Sequence, residues 1–494
     1  MTAAGSCARR RPERHCPRRY HRTECNQPDA IFRHVVPPDA LPPSHVILGA
    51  HLSARHTMRF PITLLCFFIT SLANATATDA WVVKIERWGN PTYQSMHLEQ
   101  NGMDLAGTLG GDPLVGRRDG DQIAFTVTDS SSNRYVYRGT LDGAVLRGSS
   151  DHPDTNVPHR RAQHAFSARR LPQRVSTAPQ RHVFLPTNYS NVFSAERDPV
   201  LTIWPGDSVR TSTIDSGGVD EQGVTRALYG NPQTGPFFVV GAEPGDTLVV
   251  HLRRLRLNRD YADSLDDIVG RARATSMADK AGALGKPVRW HLDRERGLAS
   301  PEHAGGNLAG FAVPLRPMLG GLALAPADGP PLSTGDTGRA GGNMDFNEVV
   351  EGNSVYLPVQ QPGALLYLGD AHAAQGDGET SQWALETSME VEFAVHLIKG
   401  KAINMPRVES PTHIMVLGQA GSLDEALRAA TGGMVQWLAQ DYGLSLPESA
   451  LVLGSVVKYS VANLAGRSVG MAAKIDKAVL SRLQRLHSQP PSAP

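Results

Sequence analysis

Between residues 80 and 150 the chain alternates apolar and polar positions in short runs broken by turn residues, the period of half-buried strands. Ile123, Phe125 and Val127 alternate with smaller or polar neighbours. Asn101-Gly102 separates Met96-His97-Leu98 from Met103-Asp104-Leu105, and Asp142-Gly143 separates Tyr135-Val136-Tyr137 from Val145-Leu146. Each pair predicts a hairpin, the first with a type I′ turn. The segment reads as a small all-β module without a cluster of His and acids, hence structural or substrate-binding. Residues 151–180 are rich in Arg, Pro, Ser and His without periodicity and read as a linker.

A large domain is expected over 181–485, strand-like in its first two-thirds. Pro205-Gly206-Asp207 and Pro244-Gly245-Asp246 are two copies of one pattern, a turn that launches an apolar strand. Residues 265–310 read as an insertion with some helix and little core. Later the period changes: Ser422 precedes Leu423-Asp424-Glu425-Ala426-Leu427, a capped helix start with acids in its first turn, and Met434, Trp437 and Leu438 continue one face at 3.6-residue spacing. Ser449 to Tyr459 is a further apolar stretch. The fold class is therefore mainly β with some α.

The first residues break with this pattern. Residues 1–57 hold nine Arg, no Lys, six His and three of the four Cys, with no hydrophobic period, and read as a non-native or disordered extension. Met58-Arg59, the apolar run Phe60 to Leu72 and Ala73-Asn74-Ala75 then have the order of a secretory signal peptide over 58–75. The 13-residue run is too short to span a bilayer as a helix. The expectation is a periplasmic or secreted protein with no stable membrane span after cleavage. All four cysteines precede the proposed cut, which excludes thiol catalysis and Cys-based zinc sites in the mature chain. Removing residues 1–75 takes away ten Arg and four acids, leaving 39 basic and 44 acidic residues, a net of −5 with no footprint for nucleic acid.

The densest chemistry lies between Gly341 and Glu386. Gly341-Gly342-Asn343-Met344-Asp345 ends in an acid. After the buried-type run Ala364 to Leu368 comes Gly369-Asp370-Ala371-His372-Ala373-Ala374-Gln375-Gly376-Asp377-Gly378-Glu379. On a continuing strand Asp370 and His372 point to the same side, where a carboxylate and an imidazole can chelate one cation. A divalent metal can polarise an amide carbonyl and acidify bound water, and a second carboxylate can pass the proton to the leaving nitrogen. Taken singly, each Gly-Asp pair is an ordinary turn; the whole string holds more polar chemistry than a turn requires. His251, His396 and His413 lie in strand-like stretches and read as structural.

These two strings resemble the signature of the acetamidase/formamidase family. Thr234-Gly235-Pro236 through Thr247-Leu248 is similar to the family's earlier motif, Leu357-Pro358-Val359 falls between the main ones, and Glu386 follows where the family keeps an acid. Asp215-Ser216-Gly217-Gly218 follows an early acidic motif loosely. The resemblance spans about residues 190–480. It implies a β-rich hydrolase domain behind the small β-module, acting on small linear carboxamides and releasing ammonia. It implies a divalent metal, zinc first and calcium second, held by Asp345, Asp370 and His372. It implicates Asp345, Asp370 and Glu386 in catalysis, and Gln375, Asp377 and Glu379 in binding substrate. A small-molecule amide is the expected partner, and a homo-oligomer the expected assembly. Two alternatives remain open: an exported metal- or ligand-binding protein without turnover, and a hydrolase of a cyclic amide or an ester.

The export reading has a direct check. Protein from its native host is expected to begin near Thr76 on N-terminal sequencing, and recovery of mature protein carrying residues 1–57 would overturn it.

Overall fold

A computed structural model describes residues 78–157 and 159–486. The expected extension at 1–57 and signal peptide at 58–75 lie outside these residues. Among the described residues no helix is long and apolar enough to cross a membrane. The remainder is mostly strand, in agreement with the expected class.

The first strands close on themselves. β1 (Asp79–Arg87), β2 (Asn90–Asn101), β3 (Asp104–Leu109), β4 (Asp112–Asp119), β5 (Gln122–Thr128), β6 (Arg134–Asp142), β7 (Val145–Pro153) and β8 (Arg161–Arg170) form an up-and-down barrel in which β8 pairs back onto β1. Inward positions fill it: Trp81, Val83 and Ile85 from β1 meet Phe125, Tyr137 and Phe166, with Phe125 stacked on Tyr137 at 4.7 Å. Both expected hairpins form, shifted by one residue. Asn101 pairs with Asp104 and Asp142 with Val145, so Gly102 and Gly143, both at positive φ, take the first loop position that a type II′ turn reserves for glycine. The segment expected as a linker supplies β8. Its inward residues are His164, Phe166 and Ala168, between Arg, Gln and Ser outside, and a histidine and an alanine hide the alternation.

The large domain has two extended sheets that share one core. In one sheet Met389–Ile398 is flanked by Ser208–Thr213 and Thr247–Leu257, the two strands launched by the Pro-Gly-Asp repeats. Both turns have the same wiring. The Asp207 amide donates to the Trp204 carbonyl (2.9 Å) while the Trp204 amide donates to the Asp207 carboxylate (3.0 Å); Asp246 and Glu243 repeat the exchange at 3.0 and 2.8 Å. In the second sheet Leu366–His372 lies between Met318–Leu324 and Glu386–Thr387. Phe237, Leu319, Leu322, Leu366 and Leu368 from this sheet meet Val209, Leu248, Leu357 and Phe393 from the other. The barrel abuts this domain through Leu171, with Ala80 and Val82, on a cluster containing Phe238 and Leu365. The stretch expected as an insertion has three 3-10 segments, Gly270–Ala272, Thr275–Ala283 and Gly306–Leu308, none with a buried residue, and between the second and third the antiparallel strands Pro287–Asp293 and Leu298–Pro301.

Helix α1 (Leu423–Tyr442) begins where expected: Ser422 accepts the Glu425 amide, and Gly443 closes the helix at positive φ. Met434, Trp437 and Leu438 lie on the strands His413–Ala420 and Val469–Asp476. The apolar stretch after it divides into α2 (Leu446–Val456), opened by a Ser445/Glu448 capping box, and the strand Lys458–Asn463.

The backbone of α1 comes close to the strand beneath it at Gly418, where a Cβ would lie 1.9 Å from the Ala426 carbonyl oxygen. Gly418→Ala must push the helix outward and is expected to cost at least about 1–3 kcal/mol of stability in chemical denaturation. An unchanged midpoint would show that the helix does not rest on this contact.

Candidate functional site

Five ionisable side chains converge beneath the surface. Asp345, Asp370, His372, Glu379 and Glu386 are each at most 5% exposed. Asp370 and His372 end the strand Leu366–His372; Glu386 begins the short strand paired with it, His372 opposite Glu386. Asp345 follows the strand Gly341–Asn343, and Glu379 lies in the connection between the two paired strands. The i, i+2 expectation for Asp370 and His372 is met: His372 Nε2 lies 3.5 Å from Asp370 Oδ1 and 3.3 Å from Glu386 Oε1. These are ion-pair separations, too long or misaligned for good hydrogen bonds.

Backbone conformation aims these groups. Asp345, Asp370 and Glu379 have positive φ (39°, 55° and 45°), a region costing of order 1–3 kcal/mol for a side-chain-bearing residue and frequent at functional sites. Gly320 faces them. Its carbonyl accepts the amides of Met344 (2.8 Å) and Asp345 (3.2 Å), and a Cβ there would lie 2.4 Å from Asp345 Oδ1 and 2.6 Å from Asp370 Oδ2. Only glycine leaves room for both carboxylates.

Amide side chains hold the acids. Asn231 Nδ2 donates to Asn343 Oδ1 (2.6 Å) and Asp370 Oδ2 (3.2 Å). Asp345 Oδ2 accepts from Asn343 Nδ2 (2.6 Å) and Asn463 Nδ2 (2.5 Å). Asn463 Oδ1 in turn accepts the amides of Ala465 (2.6 Å) and Gly466 (3.1 Å). Arg271 of the expected insertion donates to the carbonyls of Leu464, Gly466 and Arg467, tying that segment to this loop. Behind Glu386, buried Arg259 pairs with Asp215 (2.8 Å) and donates to the Glu386 carbonyl (3.2 Å), so the loosely matched early motif does reach the site.

Gln375 settles the histidine tautomer. Its Nε2 donates to the Asp345 carbonyl (2.5 Å), which can only accept, so its Oε1 is the atom facing His372 Nδ1 at 2.8 Å. Nδ1 therefore carries a proton, and Nε2 faces the carboxylates. Gln375, expected to hold substrate, stands behind the imidazole and orients it. Asp377, also expected at the substrate, is exposed, with its carboxylate accepting from Asn347 (2.8 Å). Glu379 joins the cluster, and its Oε1 accepts the Ala384 amide (3.1 Å).

The electrostatics are those of negative charge crowded out of water. Burial, then Asp370, pushes the Asp345 carboxyl well above the usual carboxylate range. Burial and the neighbouring Asp345 do the same to Glu379, and burial raises Glu386 against the pull of His372 and Ser216. Burial alone would lower the His372 pKa, but Glu386 and Asp370 outweigh it and raise it well above its ordinary value. Asp345 Oδ1, Asp370 Oδ1, Glu386 Oε2 and His372 Nε2 are buried without a hydrogen-bond partner among the described residues. Ligand atoms of Asp345, His372 and Glu379 lie within 4.8 Å of one another, as do those of Asp370, His372 and Glu386. Orphaned oxygens around one imidazole nitrogen suit a hard or borderline divalent cation.

A cavity of about 290 Å³ opens onto Asp370, Glu379 and Glu386 and reaches past Asn231 and Asn343 to Tyr229, Trp383 and Arg467. A larger cleft of about 870 Å³ elsewhere contains none of the cluster. Three of its four lining arginines, 256, 294 and 316, are paired with Glu351, Asp260 and Glu348; the fourth is Arg254.

Comparison with known proteins falls on the same stretch of chain. The Acetamidase/Formamidase family model matches residues 332–425. A formamidase-named protein of Schizosaccharomyces pombe is 26% identical over 257 residues, 43% of this chain and 61% of that protein. An acetamidase of Mycolicibacterium smegmatis is 37% identical over 110 residues, 22% of this chain and 25% of that enzyme. The chain thus spans less than two thirds of either curated relative. A crystal structure from the thermophile Thermoanaerobacter tengcongensis, described as an acetamidase/formamidase, superposes with a TM-score of 0.53 at 25% identity, covering 62% of this chain and 98% of that one. The strings around Asp345 and His372, the β-rich fold and these likenesses all point to the acetamidase/formamidase family, whose model matches the stretch that carries the site.

Proposed function

We propose that this protein hydrolyses the carbon–nitrogen bond of a carboxamide and releases ammonia, and that it does so after export, in keeping with the signal-like pattern at 58–75. The buried carboxylate–imidazole cluster at the floor of a cavity carries this reading, and the family's amidase members support it.

Asp345, Asp370 and His372 would hold a divalent cation, zinc or else calcium, with Glu379 and Glu386 close enough to share in it. Such a cation supplies Lewis acidity, polarising the amide carbonyl and acidifying bound water. The chain's own residues do the rest. Gln375 fixes the imidazole so that Nε2 faces the acids. Asn343 and Asn463 immobilise one Asp345 oxygen and leave Oδ1 unengaged. Glu386 lines the cavity and keeps Oε2 unpaired, so it is the group to accept a proton from the attacking water and return it to the leaving nitrogen. The cost of burying these acids is borne by the fold, which keeps the charges in a dry, preset arrangement.

Two measurements check this reading. Wild-type protein is expected to carry about one equivalent of metal per site by plasma mass spectrometry and to release ammonia from simple amides; His372→Ala should lose metal and turnover together. Full metal occupancy with near wild-type turnover in that variant would overturn the assignment. Gly320→Ala, which forces a methyl group against Asp345 and Asp370, is expected to lower metal affinity by roughly 10–100-fold, the range seen when supporting groups of a metal site are disturbed. Titration with a chelator reads this directly; an unchanged affinity would mean that the two carboxylates do not need the space.

A further inference from the structure

We infer that the site is built for carboxamides whose acyl group carries a flat aromatic ring, rather than for one- or two-carbon amides. This rests on the amide-hydrolase reading and names its substrate class.

Tyr229 and Trp383 both line the cavity that holds Asp370, Glu379 and Glu386. Short tethers keep them beside the acids. Tyr229 precedes Asn231, which donates to Asp370, by two residues. Trp383 precedes Ala384, whose amide caps Glu379, and stands three residues before Glu386. The two rings are 6.0 Å apart at 46°, and Trp383 Nε1 donates to the Tyr229 hydroxyl at 3.3 Å. Their polar edges thus satisfy each other, leaving apolar faces for the cavity. Tyr229 is 65% exposed, so its ring is accessible to a ligand entering the cavity.

Size favours the same substrate. At about 290 Å³ the cavity approaches the roughly 300–1,000 Å³ of sites for drug-sized ligands. Formamide or acetamide seated at the acids would leave the aromatic wedge untouched. A ring attached to the carbonyl carbon extends from the acids toward Tyr229 and Trp383, where a planar group gains offset or edge contacts. The cationic wall does not call for an anionic substrate instead, because Arg467 already pairs with Asp336 at 3.1 Å.

The test uses full-length, metal-replete protein with benzamide and acetamide as probes, read both by ammonia release and by calorimetric binding. Benzamide is expected to have the higher kcat/KM and the tighter binding. Trp383→Ala and, separately, Tyr229→Ala should each lower the benzamide-to-acetamide ratio of kcat/KM by about tenfold, mainly through KM, as loss of one aromatic contact implies; Trp383→Phe should restore most of it. Acetamide turned over better than benzamide, or a ratio unmoved by both alanine variants, would overturn the inference while leaving the amidase reading intact. Benzamide bound tightly in a manner weakened by these variants, with neither amide hydrolysed, would uphold the ligand class and overturn the amidase reading.

Discussion

Crowded negative charge at His372 is the constraint around which the rest of the site is organised. Four carboxylates and one imidazole lie out of water within a few ångströms, and isolated buried charges cost several kcal/mol each. The protein has not relieved that cost with arginine or lysine: in the cluster the cationic partner is the histidine alone. It has supplied neutral donors instead. Asn231, Asn343 and Asn463 each give an N–H to a carboxylate oxygen without cancelling its charge. Such an arrangement preserves affinity for a cation, where a guanidinium would have consumed it.

Geometry is held by features that would be liabilities elsewhere. Three of the four acids sit at positive φ, and Gly320 interrupts an otherwise buried apolar strand. Strain of this kind persists only when the surroundings over-determine it. Here they do: the two sheets share one buried core, and the Gly320 carbonyl ties the Asp345 loop to the strand Met318–Leu324. Strands carry Asp370, His372 and Glu386, while loops carry Asp345 and Glu379 together with the rim residues Tyr229 and Trp383.

The barrel stands apart from this chemistry. None of its residues lines the cavity, and its interior is filled by its own side chains. Its contact with the large domain covers Phe238 and Leu365, apolar groups that would otherwise meet water. The solved relative covers 62% of this chain, so more than a third has no counterpart there. The expected insertion, by contrast, does reach the site indirectly, through Arg271 and the loop after Asn463.

Much of this was legible in the sequence, because local patterns report local structure. Period-two alternation marked the barrel strands, Pro-Gly-Asp marked two turns with identical wiring, and Ser422 marked the start of α1. The acids and His372 stood out because they are concentrated in one Gly-rich stretch, and an i, i+2 spacing on a strand is a statement about one face. What the sequence did not disclose is non-local or depends on direction. Asn463 is 118 residues from the Asp345 it holds, and no spacing rule connects them. Gly320 looks like any glycine until two carboxylates close over it. Gln375 and Asp377 share the same short string, yet packing turned one behind the imidazole and left the other in water. The strand Arg161–Arg170 was concealed because a histidine and an alanine serve as inward residues, and only closure of the barrel makes them so. Sequence determined which residue types were available and where the chain could turn; long-range packing alone decided which of them face one another.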